Sequence, residues 1–246
     1  MGMPLTVSIP DARAAQAHMD EVLAYLTSVD ERFSTYKETS EISRINKGLL
    51  HPDAASRDMC DVFDLSEETR RMTDGFFDIR RPIGGYDPSG LVKGLAIQRA
   101  ADLLRARGFK NFFVDLAGDI QADGTNEDGE PWAIGIRNPF NRDEIVKVLR
   151  VSDRGVATSG TYERGQHVYD PHAGSGPLEE IVSLTIIGPN VYEADRFATA
   201  AFAMGADGIR FVEGLAGFEG YAIDRNGIGT MTSGFETYAL PYAQLD

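Results

Sequence analysis

Apolar residues in the first part of the chain recur mainly every three or four positions, the spacing of a helix with one buried face. Residues 4–9 alternate as a strand does, and Asp11 is then placed to cap a helix. The apolar face of that helix is predicted to comprise Met19, Val22, Leu23, Leu26, Val29 and Phe33. Further helices are predicted at about residues 40–46, at 56–73 before Asp74-Gly75, and at 91–107 before Gly108.

Strand patterns dominate the second part of the chain. Strands are predicted at residues 111–117, 132–136, 145–151, 156–158 and 181–187, and a helix at about 193–204. Two short strands near 218–224 and 228–232 flank the turn signal Arg225-Asn226-Gly227. Because the strands follow one another as antiparallel hairpins, with helices before and after them, the pattern favours an α+β fold over a doubly wound parallel sheet.

Charge limits the classes of ligand. The 246 residues include 24 Lys and Arg and 38 Asp and Glu, which gives a net charge of −14. No long block of like charge occurs, so the sequence argues against a nucleic-acid partner. A phosphorylated ligand would need a local site built from a helix N-terminus, backbone N–H groups, a Lys or a divalent metal.

The single cysteine and the hydropathy bear on the compartment. Cys60 excludes an intramolecular disulfide and, between Met59 and Phe63, is predicted to lie in the core. No apolar run approaches the ~18–20 residues of a membrane span, and no signal sequence is visible at the N-terminus. The expectation is a cytoplasmic protein as given, or a cell-surface or periplasmic one whose leader has been removed.

Two segments carry residues suited to binding a phosphorylated ligand. DPSGLVKG, residues 87–94, places Gly90, Lys93 and Gly94 at a helix start, where glycines would let a ligand approach the backbone and Lys93 would neutralise a phosphate. A solvated lysine at an ordinary helix start is the alternative. In EADRFATA, Asp195 and Thr199 lie four residues apart on one helix face and offer the hard oxygen ligands that Mg²⁺ prefers. The alternative is that both side chains serve their own helix.

Other segments give weaker signals. The polar stretch 156–174 has the composition of a binding loop, in which His167 is a candidate proton acceptor or a hydrogen-bonded structural residue. In DLAGD, residues 115–119, Gly118 and Asp119 are interpreted as a turn that touches a ligand. The sole tryptophan, Trp132, is predicted to be a core residue.

Together these segments resemble the ApbE family, the FAD:protein FMN transferases. The similarity follows the family's order through MGM, FSTYKETSEISRIN, GFFDI with Pro82, DPSGLVKG, DLAGDI, ATSGTYERGQHVYDPHAG, EADRFATA and YAIDRNG. The resemblance implies one T-fold-like α+β domain over residues 1–246, with a mixed, mainly antiparallel sheet and flanking helices. It also implies an enzyme that holds FAD in a cleft with Mg²⁺, transfers FMN to a Ser or Thr hydroxyl of a target flavoprotein, and releases AMP.

The resemblance implies roles for individual residues. The FAD-binding positions would be Met1, Tyr36, Phe77, Asp78, Asp87, Lys93 and Val168. The metal would take the Gly90 carbonyl, the Asp195 carboxylate and the Thr199 hydroxyl. His167 would be the base, and Lys93 and Asp195 would complete the catalytic set.

Two other functions are compatible with the same residues. Water could replace the protein acceptor, which would make the chain an FAD hydrolase that yields AMP and FMN. A non-catalytic FAD-binding module is the second alternative. The chain also departs from the family where Arg80 and Arg81 follow GFFDI, and these two cations either favour a phosphate or form a solvated edge.

Overall fold

The structure is a computed structural model that describes residues 3–82, 84–141, 143–161, 171–172 and 180–240. Strand β1 (Leu5–Ser8) precedes helices α1 (Gln16–Phe33), α2 (Glu41–Asn46), α3 (Arg57–Met72) and α4 (Ser89–Ala106). Strands β2 (Phe112–Leu116), β3 (Asp119–Asp123), β4 (Trp132–Arg137), β5 (Ile145–Val151), β6 (Arg154–Gly160) and β7 (Ile181–Gly188) follow. Helices α5 (Val191–Ala203) and α6 (Gly208–Glu213) come next, before strands β8 (Glu219–Asp224) and β9 (Gly229–Met231).

Seven strands form one sheet in the order β1-β2-β3-β6-β7-β8-β9, and β4 with β5 forms a separate two-stranded hairpin. Among the described residues, every neighbouring pair of these strands is antiparallel. The predicted α+β fold, with a mainly antiparallel sheet and flanking helices, is therefore confirmed. No helix in the described part of the chain has the length and apolar character needed to cross a bilayer.

The alternation along β2 sends side chains into two separate cores. Val114 and Leu116 pack in the core that contains the buried faces of α1, α3 and α4. Phe113 points the other way and meets Trp132 of β4 edge to face, with ring centroids 5.0 Å apart. Trp132 is buried there, as predicted. Helices therefore cover one face of the sheet, and the β4–β5 hairpin covers the other.

The prediction that Asp11 caps the first helix is wrong. Helix α1 begins only at Gln16, and the Asp11 carboxylate instead accepts hydrogen bonds from the backbone N–H of Arg13 at 2.9 Å and from its guanidinium at 2.7 Å. This local Asp–Arg contact competes with capping because it satisfies the same carboxylate oxygens.

Leu23 was predicted on the buried face of α1, but it is 56% exposed. The stripe that packs against the core runs through Val22, Leu26 and Val29. Leu23 follows Val22 by about 100° around the helix and so lies outside that stripe.

Strand β3 was missed, because polar residues occupy its buried face. Asp119, Gln121 and Asp123 are all buried, so the face of β3 that packs against the helices carries polar residues in place of the apolar ones a buried strand usually has. Only Ala117 and Gly118, both with positive φ, form the turn before it, and Asp119 is the first residue of the strand rather than part of the turn. The short helix α6 was also missed, and Cys60 is half-buried rather than fully in the core.

Candidate active site

Helix α4 begins in a hydrogen-bonded turn that fixes the DPSG segment. The Asp87 carboxylate accepts the Ser89 backbone N–H at 3.1 Å, and the Asp87 N–H donates to the Ile79 carbonyl at 2.7 Å. Asp87 therefore supports the helix start and ties it to the residues just after GFFD. An 18-residue helix begins here, so its unpaired N–H groups and its positive dipole end lie at this turn.

Gly90 and Gly94 allow helix α5 to approach α4 closely. A Cβ atom placed on Gly94 would lie 2.5 Å from the Asp195 Cβ and 2.7 Å from the Val191 carbonyl oxygen. One placed on Gly90 would lie 2.9 Å from the Thr199 Cγ2. The sequence interpretation that these glycines admit a ligand to the backbone is therefore corrected: side chains of α5 fill that space.

The close approach brings the predicted metal ligands of two helices together. The Thr199 hydroxyl donates to the Gly90 carbonyl at 3.2 Å, and the Asp195 Oδ2 accepts the Gly94 N–H at 2.6 Å. Asp195 is 4% exposed. Both side chains thus bond to α4 and not to their own helix, so the alternative in which they serve only α5 does not describe this structure.

Lys93 extends from α4 to the sheet. Its Nζ lies 2.6 Å from Oδ2 of Asp119, and the side chains are 14% and 1% exposed. The other carboxylate oxygen of Asp119 accepts the Thr158 backbone N–H of β6 at 3.1 Å. Asp119 thus joins strands β3 and β6 to helix α4. Lys93 is not the solvated lysine of the alternative interpretation.

The sequence indicates Asp119 only as part of a turn, and its place in the site is visible only in the structure. A single aspartate at the start of a strand does not indicate a site. The pattern Asp119, Gln121 and Asp123 gives a weak signal, because buried carboxylates at alternate positions of a strand require cations or a metal opposite them.

Among the described residues, the site holds more negative than positive charge. Two buried carboxylates, Asp119 and Asp195, lie near the single ammonium group of Lys93. Burial, followed by the repulsion of the Asp119 carboxylate, raises the pKa of Asp195 to about 8, while Lys93 and the Gly94 N–H act in the opposite direction. A second cation beside Asp195 would relieve this imbalance.

The donor set matches a hard cation. The Gly90 carbonyl, the Thr199 hydroxyl and the Asp195 carboxylate offer only oxygen atoms, which suit Mg²⁺ better than a softer metal. In the described part of the chain, no cluster of three or more His, Cys, Asp or Glu side chains forms a separate metal site. The residues present therefore fit a magnesium ion bound by one carboxylate, two neutral oxygens and substrate or water.

Of the next two predicted residues, Phe77 contacts this region, whereas Asp78 lines a separate cavity. Phe77 is buried, and its ring passes 3.4 Å from the position of a Cβ on Gly90, so it forms a wall of the site. Asp78 lines a cavity of about 280 Å³ between α3 and the segment that follows it. Its carboxylate accepts the backbone N–H of Arg80 at 2.8 Å and its Nε–H at 3.1 Å. Arg80 is thus held by an aspartate, which leaves its proposed phosphate role untested.

The remaining predicted FAD contacts stay predictions. Tyr36 is 91% exposed in the loop between α1 and α2. Met1, His167 and Val168 lie outside the described residues. Of the loop that contains the last two, His172 is described, and its Nε2 lies 2.8 Å from the Asp74 carbonyl oxygen while its ring meets that of Phe76.

Sequence comparison identifies relatives over nearly the whole chain. The model of the ApbE family matches residues 1–82 and 85–222. An FAD:protein FMN transferase of Vibrio cholerae is 26% identical over 94% of this chain and 84% of its own. One of Escherichia coli K12 is 25% identical over 98% and 85% of the two chains.

Solved structures share the fold. The flavin transferase ApbE from Vibrio cholerae gives a TM-score of 0.83 at 24% identity, covering 97% of this chain and 96% of that one. The apbe protein from Thermotoga maritima also gives 0.83, at 21% identity and 98% and 97% coverage. At these identities the structural likeness establishes a common architecture, in agreement with the α+β prediction.

Proposed function

The chain belongs to the ApbE family, and from this premise we propose that it is a Mg²⁺-dependent FAD:protein FMN transferase. In this reaction an acceptor hydroxyl, from a Ser or Thr of a target flavoprotein, forms a bond to the phosphorus of the FMN moiety. The bond from that phosphorus to the AMP moiety breaks, AMP leaves, and the hydroxyl proton passes to a base. The names of the Vibrio cholerae and Escherichia coli relatives support the transferase activity.

The observation that carries the proposal is the junction of α4 and α5. The Gly90 carbonyl, the Asp195 carboxylate and the Thr199 hydroxyl would hold Mg²⁺, which when bound neutralises the pyrophosphate and stabilises the leaving AMP. The glycine contacts make this arrangement rigid, since neither helix can move without opening a packed interface.

Lys93 is the one cation that α4 places beside these oxygens. Asp119 holds its ammonium group at 2.6 Å, which orients the side chain before substrate arrives. In the proposed reaction Lys93 binds a phosphate oxygen of FAD from the side of the sheet. The N-terminal N–H groups of α4 favour negative charge at the same place.

The other predicted residues complete the proposal. Phe77 and Asp78 line the FAD cleft, and Asp87 supports it from the start of α4. Met1 and Tyr36 contact the flavin, and the main chain of Val168 contacts FAD. His167 accepts the proton of the incoming hydroxyl, a role for which an imidazole is suited near neutral pH.

The direct test is a balance of products. The purified chain is incubated with FAD and either Mg²⁺ or a chelator. A flavoprotein domain that carries FMN on threonine, produced without its flavin, is included or left out. Metal-dependent AMP matched by flavin that stays with acid-precipitated acceptor is the expected result.

The other outcomes separate the alternatives. AMP accompanied only by free FMN would show a hydrolase. Chelator-insensitive FAD binding without any AMP would show a binding module. Either outcome would overturn the proposed transfer.

A further inference from the structure

A groove runs between the β4–β5 hairpin and the sheet, on the face opposite helices α4 and α5. Its volume is about 730 Å³, within the ~300–1,000 Å³ range of ligand sites. Thr6, Phe113 and Asp115 of β1 and β2 form its floor, and the residues of β4 form one wall. None of these residues belongs to the site described above.

The wall is the outer edge of strand β4. On the far side of β5, the Arg150 N–H donates to the Tyr238 carbonyl and the Val148 carbonyl accepts the Leu240 N–H. Backbone groups alternate sides along a strand, so the groups of Leu149, between those two, point toward β4. Leu149 is the register partner of Ile134.

It follows that the backbone groups of Ala133 and Gly135, on either side of Ile134, point away from β5. Both residues line the groove. Within the part of the chain that the structure describes, no strand pairs with this edge of β4. Among the described residues these N–H and C=O groups therefore have no strand partner, and such groups are a template for another strand.

We propose that an extended segment of the acceptor protein binds this edge of β4 as a third strand of the hairpin. The inference rests on the proposed function, since only a protein-modifying enzyme has a polypeptide substrate. An edge of unpaired amides recognises main chain, and that is the feature that distinguishes a protein acceptor from a small molecule. From Ala133 to Arg137 the edge extends about 13 Å, enough for about four residues of an added strand.

The groove also leads to the candidate site. Ala117 and Gly118, the turn between β2 and β3, line one end of it. The next residue, Asp119, holds Lys93 on the other face of the sheet. An acceptor strand in the groove would thus be anchored beside the end of the sheet at which FAD is proposed to react.

The side chains of the groove define the kind of segment that fits. The half-buried Phe113, which packs against the buried Trp132, offers an aromatic side chain to one inward-facing residue of an added strand. Arg137 lines the groove and is exposed, and its charge acts on the Asp115 carboxylate of the floor. The arginine favours an acidic residue of the acceptor at that end of the strand.

Hydrogen exchange tests the contact directly. The probe is the flavin-free domain that accepts FMN on threonine, added to the full chain with FAD and Mg²⁺. The amides of Ala133 and Gly135 are expected to exchange rapidly in the free enzyme and at least tenfold more slowly with the acceptor bound. Unchanged exchange of both amides while flavin transfer proceeds would overturn the proposal.

A proline substitution tests whether docking at the β4 edge affects turnover of the acceptor. Ala133→Pro removes one outward N–H without breaking a bond to β5, and Ala133→Val keeps that N–H as the matched control. The proline variant is expected to raise KM for the acceptor at least tenfold, with the FAD dissociation constant unchanged, while the valine variant behaves as the parent. Equal KM values for parent and proline variant would contradict docking at this edge.

Two further outcomes are distinct from these. If the parent chain transfers no flavin to any protein, the proposed function fails irrespective of the groove. If the Ala133 and Gly135 amides are protected in the free enzyme only at high chain concentration, a second copy occupies the edge and the acceptor assignment is overturned.

Discussion

Strand β3 carries a buried aspartate at each end, and helix α4 places a cation against each of them. At one end Asp123 pairs with Arg105, and at the other Asp119 pairs with Lys93. The two ends differ in what joins the pair. At the first end the second carboxylate on the cation, that of Asp102, is exposed, whereas at the other end the second carboxylate, that of Asp195, is buried.

At the Asp123 end, both oxygens of the buried carboxylate are hydrogen-bonded. Arg105 donates from Nε and Nη2 to the two carboxylate oxygens at 2.6 and 2.7 Å. Gln121 donates to the same carboxylate at 2.8 Å and accepts the Val191 N–H, at the start of α5, at 2.9 Å. The indole of Trp132 donates to the Asp123 carbonyl. Such a closed network holds strand and helices together and offers no binding capacity.

At the Asp119 end the second carboxylate is buried instead, and this difference distinguishes a structural ion pair from a candidate binding site. Among the described residues two buried carboxylates face one lysine, and burial together with repulsion by Asp119 raises the pKa of Asp195, which disfavours its charged form unless another cation is present. A buried site that is costly when empty and favourable when a cation and a phosphate arrive is what the proposed reaction needs.

Asp195→Asn is expected to have the largest effect. The amide keeps the size of the side chain but removes the charge, so Mg²⁺-dependent AMP release should fall by about 10²–10³-fold. In chelator the variant should be at least as stable as the parent above neutral pH, because repulsion with Asp119 is gone. Product assays and thermal unfolding measure the two effects. Full activity would remove Asp195 from the metal site.

Gly94→Ala is expected to disrupt the close contact of α4 with α5 that holds Asp195 in place. The new Cβ meets the Val191 carbonyl, which is backbone and cannot rotate away, so unfolding free energy should fall by about 3 kcal/mol. Gly214→Ala is the control, since its nearest neighbouring atom is 3.4 Å away. Urea unfolding compares the two. An unchanged Gly94→Ala midpoint would contradict the close packing of α4 on α5.

Asp123→Ala should damage stability but not metal dependence. Arg105 and Gln121 lose their shared partner, and because Arg105 is partly exposed the expected cost is about 2 kcal/mol. Asp102→Ala, which removes the exposed partner of the same arginine, should cost under about 0.5 kcal/mol. Unfolding in urea distinguishes them, and equal costs would show that the Asp123 end is no stronger than a surface pair.

The most gradual effect concerns pH, because it is spread over about four pH units. Because the folded state raises the pKa of Asp195 to about 8, the folded protein holds a proton that the unfolded chain releases near pH 4. In chelator, stability should therefore fall as pH rises from about 4 to about 8, by at most about 1.4 kcal/mol per pH unit. Relative to the parent, Asp195→Asn should lack this slope. If the stability of the parent and of Asp195→Asn changed equally with pH, the raised pKa could not belong to Asp195.

Most of the helices and strands whose buried residues are apolar could be predicted from the sequence. Helix α4 and strand β7 follow regular spacing, and the glycines at 75 and 108 end two helices as predicted. Strand β3 could not be predicted, because its helix-facing positions are Asp119, Gln121 and Asp123. Burial of such residues depends on partners far away in the chain, which local pattern cannot reveal.

The site shows the same division. Asp195 and Thr199 could be paired from their spacing on one helix, and Gly90 from the resemblance. That both side chains bond to α4, through two glycines about a hundred positions earlier, appears only in three dimensions. Asp119 could not be predicted as a site residue for the same reason: its burial depends on Lys93 and Thr158, which are distant in the sequence. The contacts of Tyr36 are not fixed by the described geometry and stay predictions.

A magnesium titration of thermal stability tests the central comparison most directly. The parent chain, Asp195→Asn and Asp123→Ala are unfolded by heat at pH 8 over a series of Mg²⁺ concentrations. Above the dissociation constant, each tenfold increase should stabilise the parent and Asp123→Ala by up to about 1.4 kcal/mol and leave Asp195→Asn unchanged. Equal stabilisation of all three would contradict the account, because the ion would then bind somewhere other than the junction of α4 and α5.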